Sequence, residues 1–366
     1  MMPFSHVSLP DLPSSIGRLT AIHPVKGGSQ GSITLLALNT QAELWRLELY
    51  SGNAELCTRI CIPDFNPMQP VQMVTSPDEK YVAISNRFGR HAAVYDLVHA
   101  QEKMQLSRDE YHYDKSMFPL AFVHQDGMCI LVHGTEWNRL DLTYIETGRL
   151  LTARPTPVYN NENKDEHYLD YFHGRLLASP EGKWIADTGW VWAPLGVVRT
   201  WSLSDWLLNP WESENGPSVR HLWQTIDWDG PICWTGPDTL AVWGQMDADL
   251  LEEEDWGEEG VEPAEPAVVL FDMTQPGYRR VLSAIPPLNC KPDEYGIYPY
   301  PQADMTVCGD RLFLWGKGVP LQVWRLSSGV REYVDTERFP LIYHQEAGIF
   351  VELNPDSGCT ALSYDE

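Results

Sequence analysis

One pattern recurs along this chain and constrains its fold more than any single motif. An apolar run crosses a turn into a second apolar run, and a third run carries a bulky residue near its centre. The second runs are the plainest: "ITLLAL", "KYVAIS", "MCILVH", "KWIADT", "TLAVWG", "RLFLWG" and "GIFVEL". The turns before several of them, such as "SPDEK", "HQDGM" and "SPEGK", carry the Gly and Asp of a hairpin. The third runs align on Trp45, Tyr95, Leu140, Trp201, Phe271 and Trp324. A large side chain at one fixed place in each repeat is expected to pack between neighbouring sheets. Fixed-period strand groups of this kind cannot bury their faces alone and must stack on one another.

Seven such groups predict an all-β fold, a seven-bladed β-propeller forming one domain over residues 1–366. The blades fall at 18–62, 71–108, 119–154, 174–226, 230–285, 302–335 and 340–364. The seventh group offers three strands. The spare N-terminal run "FSHVSLP", residues 4–10, is expected to supply its fourth and close the ring. A pair of β-sandwiches is the competing architecture, since short strands with frequent turns also permit it.

The third strands resemble those of the WD-repeat-like propellers. Tyr95-Asp96 and Phe271-Asp272 approximate the aromatic–Asp pair that ends a repeat, whereas the family's Gly-His pair is missing. The resemblance covers nearly the whole chain in strand pattern and implies a protein-binding platform. Fold alone does not settle function, because propellers also host enzymes.

Composition narrows the partners. A net charge of −25 repels a phosphate backbone and an anionic membrane surface, and the 26 Lys and Arg form no basic patch. No nucleic acid and no membrane is therefore expected, and a basic protein is. The seven cysteines are odd in number and lack CxxC spacing, which reads as buried thiols in a reducing compartment. With no basic-then-apolar leader in "MMPFSHVSLPDLPSS", a cytoplasmic monomer is expected.

In a propeller, the links between blades and the turns from second to third strands share one face. Most of the long connections are of those two kinds, whereas "SDWLLNPWESENGPS" is expected on the opposite face. The acidic stretch Asp247–Glu265 holds ten Asp or Glu in nineteen residues and reads as a solvated charge run. The other connections carry Tyr111, His112, Tyr295, Tyr298 and Tyr300 among their aromatics. Tyr and Trp form the energetic centres of many interfaces. Tyr113, Tyr168, Tyr171, Trp190, Trp192, Trp228 and Asp229 are accordingly the expected partner-contact residues.

Chemistry finds less support. No GxSxG elbow and no phosphate-binding Gly loop is present. His167, Asp170 and His173 in "HYLDYFH" are the best metal-binding constellation, but their spacing matches no signature. No catalytic residue, metal or cofactor is expected. Three readings stand: an interaction scaffold for a basic partner; an acidic inhibitor or immunity-type protein for a basic enzyme; and a metal-dependent propeller hydrolase or lactonase with its site over the central channel.

Overall fold

The structure is a computed structural model that describes residues 4–26, 33–157, 166–192, 195–225, 228–245, 266–277, 279–286, 303–316, 318–338, 340, 342–354 and 358–364. Its strands pair into seven four-stranded antiparallel sheets, and within six of them the neighbours in space are neighbours in sequence. These are the blades of a β-propeller. Helix is confined, among the described residues, to Leu203–Leu208, Glu212–Asn215 and two 3-10 turns.

The second strands read as unbroken apolar runs because both their faces are covered. Thr34–Asn39 is buried at every position. Fourth strands lie at a sheet edge and are the most exposed: Asn53–Arg59 has no buried position. The "HQDGM" turn shows why such sequences form hairpins. Asp126 and Gly127 both take positive φ, at 51° and 75°, which joins Gln125 and Met128 in a tight two-residue connection.

The chain forms two compact units, Met1–Arg108 with Pro340–Glu366, and Asp109–Phe339. The first holds blades one, two and seven. There the N-terminal strand Phe4–Val7 pairs antiparallel with Gly358–Tyr364, Phe4 opposite Tyr364 and Val7 opposite Ala361. Blade seven thus takes its fourth strand from the other end of the chain. Phe4 seals the join, its ring 5.0 Å from Tyr364 and 5.9 Å from Phe350. One core lies between blades seven and one, around Leu35, Leu47, Ile349 and Val351. Another lies between blades one and two, around Leu38, Val82, Ile84 and Tyr95.

The second unit holds blades three to six. Trp201 packs back onto blade three, Phe271 onto blade four and Trp324 onto blade five. Burying each such ring removes enough apolar area from water for about 4–6 kcal/mol, before chain entropy is counted. Leu140 breaks the expected alignment. It packs forward, in the core shared with blade four. The penultimate residue of its strand, equivalent to Trp201 or Trp324, is the buried Thr143. Strand side chains alternate between faces, so aligning on Leu140, an odd number of residues away, selects the wrong face of the sheet.

The blade-four insertion also departs from expectation. Ser202 caps the helix Leu203–Leu208, its hydroxyl accepting the Asp205 N–H. The Asn215 carboxamide donates to the Glu166 carbonyl at 2.9 Å, so the insertion meets the link it was expected to oppose.

Candidate functional site

Five connections of the second unit converge on one aromatic cluster. They are the link 109–119 before blade three, the turn 136–139 within it, the link 166–171, the turn at 191–192 and the link 228–231. The nucleus is a cross-strand pair. Phe172 stands opposite Trp190 in blade four's first two strands. Directly opposed side chains project from the same face of a sheet. Their rings stack at 3.9 Å with planes 6° apart. Tyr111 stacks on Phe172 at 5.7 Å, and Trp228 stacks on Trp190 at 5.1 Å. The result is a four-ring ladder drawn from four separate segments.

Other rings brace the ladder edge-on. Trp192, two residues beyond Trp190, lies at 82° to it and at 88° to Phe172. His112 stands at 80° to Trp192, 5.0 Å away. Trp137 packs on Phe172 at 4.3 Å, and Tyr168 lies 6.4 Å from Trp137.

Polar groups beneath the rings fix the loops that carry them. The Asp229 carboxylate accepts the Met117 N–H at 2.8 Å and the Arg175 N–H at 3.0 Å. The Trp228 indole donates to the Lys115 carbonyl, and the Ser116 hydroxyl to the His173 carbonyl. The Tyr171 hydroxyl accepts the Gly189 N–H and donates to the Val197 carbonyl. Burial, reinforced by the nearby Asp187 carboxylate, pushes the Tyr171 phenol well above its ordinary range. It therefore stays a donor at every physiological pH. His112 and Asp229 both take left-handed backbone, with φ of 52° and 56°. Such conformations cost about 1–3 kcal/mol for side chains of this kind and persist only where neighbours enforce them.

The expected contact residues divide by burial. Trp192 is 50% exposed and Tyr113 36%; Trp228 and Tyr168 are half-buried. Tyr171, Trp190 and Asp229 are buried, at 2%, 2% and 8% exposure. Their rings and carboxylate lie beneath the exposed ones. They hold the platform from below. Sequence reasoning passed over Trp137 and Phe172. The signal for Trp137 was available: it occupies the second-to-third-strand turn of blade three, the kind of connection that presents Trp192 in blade four. The acidic run Asp247–Glu265 and Tyr295, Tyr298 and Tyr300 lie outside the described residues.

His167, Asp170 and His173 do not assemble. Among the described residues their ligand atoms form no common group. His167 stacks on Trp211 at 4.4 Å, and its Nδ1 bonds the Asn215 Oδ1 at 2.8 Å. His173 turns inward, its Nδ1 held 2.5 Å from the Asp187 carboxylate. That pair is buried, at 2% and 0% exposure, and the other Asp187 oxygen accepts the Gly174 N–H. Its chemistry is that of a brace.

Elsewhere, six cysteines are free thiols among the described residues, with Cys290 outside them. Burial pushes Cys233 up to about 12, leaving it an inert thiol. No described helix is long and apolar enough to cross a membrane.

No protein-family model and no curated protein matches the chain. A solved structure of Kuenenia stuttgartiensis hydrazine synthase is similar, with a TM-score of 0.53 over 92% of this chain and 96% of that one. Sequence identity there is 14%. The likeness is one of fold. The β-propeller is a much-reused scaffold, with 1171 solved chains matching, so the likeness carries no function across.

Proposed function

We propose that this protein is a non-enzymatic interaction module. Blades three and four hold a rigid aromatic platform, and the partner is a basic protein. The observation that carries this reading is the ladder Tyr111–Phe172–Trp190–Trp228, built from remote segments yet leaving Tyr111 45% and Trp192 50% exposed. A cluster serving stability alone would bury its largest rings. This one buries the inner rings and uses them to fix the outer ones. Rigid, half-exposed Trp and Tyr bind at low entropic cost, because little freedom is left to lose. The net charge of −25 would speed encounter with a basic surface.

The test pairs Trp192→Ala with Tyr111→Ala and captures partners from the native host on immobilised protein. Both side chains are exposed, so the fold is expected to survive. Losing two anchors of this kind is expected to weaken capture by about 30-fold or more, the hot-spot range. A captured set identical in identity and amount to the wild type's would refute the reading.

A further inference from the structure

Trp192 is held unlike the other indoles of the cluster. Three rings abut it, Phe172, Trp190 and His112, each within 10° of perpendicular. Among the described residues these are all its ring neighbours, and none of the described Lys or Arg lies over it. Half of the residue faces solvent.

Its surroundings carry a definite charge. On the links 109–119 and 166–171, the exposed carboxylates Glu110, Asp114, Glu166 and Asp170 stand against one exposed lysine, Lys115. That lysine is already paired with Asp114 at 3.1 Å. An electron-rich indole, immobilised by His112 of the link that carries Glu110 and Asp114, attracts a cation to its face. Cations already lie over aromatic faces in the same blade: Arg154 is 5.4 Å over Trp211 and Arg199 4.8 Å over Tyr171, while Arg220 at 5.1 Å and Lys183 at 5.3 Å both lie over Trp184. A guanidinium is planar and more weakly hydrated than an ammonium, so it stacks while its edge N–H groups reach carboxylates.

We infer that the element of the basic partner recognised here is an arginine side chain, stacked on the open part of Trp192 with its N–H edge toward the carboxylates of the link 109–119. This rests on the platform reading above and specifies its occupant.

The test uses the full chain labelled with 5-fluorotryptophan. The Trp192 fluorine resonance is assigned by its loss in Trp192→Phe. A Gly/Ser peptide with spaced arginines is titrated in, alongside the same peptide with citrulline, a neutral near-isostere, at each arginine. A lysine version completes the set. The expected result is a saturable shift of the Trp192 resonance by the arginine peptide. Affinity should fall about tenfold or more for citrulline, fall less for lysine, be lost in Trp192→Ala and return in part in Trp192→Phe. Equal binding of the citrulline peptide overturns the inference, as does tighter binding of lysine, full affinity in Trp192→Ala, or no arginine-peptide binding at all. The two ideas fail separately. If host partners are lost from the double-alanine variant while citrulline binds as well as arginine, the platform stands and its arginine specificity falls.

Discussion

Arg154 is the most exacting place to test how blades three and four are joined. Its side chain is 1% exposed. One terminal nitrogen donates to the Asp141 carboxylate at 2.9 Å and to the Thr152 carbonyl at 3.0 Å. The other donates to the Leu140 carbonyl at 2.9 Å and to the Glu214 carboxylate. Asp141 and Glu214 are themselves 2% and 3% exposed. Replacing Arg154 by Met keeps the volume and removes the charge. Asp141 would retain Arg139 and the hydroxyls of Thr135 and Thr152. Among the described residues, Glu214 would keep the Ser213 hydroxyl as its side-chain hydrogen bond. A buried carboxylate stripped of its cation costs about 3–5 kcal/mol. That is a large share of the roughly 5–15 kcal/mol that holds a domain folded.

Adding Glu214→Gln removes the stranded charge. The double variant should therefore recover half or more of the loss, about 2 kcal/mol relative to the single variant. Urea unfolding followed by tryptophan fluorescence reads both quantities, since Trp201, Trp206 and Trp211 lie in the same blade. A single variant within about 1 kcal/mol of wild type, or a double variant no better than the single, would show that this network does not join the blades.

Gly189→Ala should abolish soluble expression or cost more than about 3 kcal/mol, because an added Cβ would sit 2.0 Å from the Phe172 carbonyl oxygen and 2.5 Å from the Tyr171 ring; a thermal melt near the wild type's would contradict the packing described. Asp229→Asn would turn an amide donor toward the Met117 or the Arg175 N–H, so a loss of about 1–3 kcal/mol is expected. Faster amide exchange confined to 109–119 and Arg175 would report it, and unchanged exchange would speak against the carboxylate's role. Burial holds the His133 imidazole below its ordinary 6.5. The unfolded chain therefore takes up a proton that the native state refuses. Stability is complete above about pH 6.5 and falls as the medium is acidified below it, by up to about 1.4 kcal/mol per pH unit. His133→Gln should flatten that limb of the urea-midpoint profile, and an unchanged slope would reject the assignment.

The site was legible to an uneven degree. Aromatics crowd the connections visibly, and Trp192 and Tyr113 are exposed where a loop aromatic would be expected. Nothing in the string distinguishes Trp190 from Trp192, two residues apart in one segment. A strand that runs on to Val191 puts Trp190 opposite Phe172 and leaves Trp192 past the last pair. Likewise, the carboxylate of Asp229 reads as surface charge until two backbone N–H groups from segments 54 and 112 residues away converge on it.

What the amino-acid order determined by itself was local and periodic. Unbroken apolar second strands, Gly and Asp turns and bulky third-strand residues define seven antiparallel sheets, because strand pairing across short turns is governed by neighbours in sequence. Even that rule failed at Leu140, where one face of a strand had to be chosen without knowing which was buried. Only the tertiary structure decided which distant rings meet, that His173 faces Asp187 and not His167, and that the blade-four insertion reaches Glu166. Those outcomes depend on how whole sheets pack, and contacts between segments far apart in the chain leave no period in it to read.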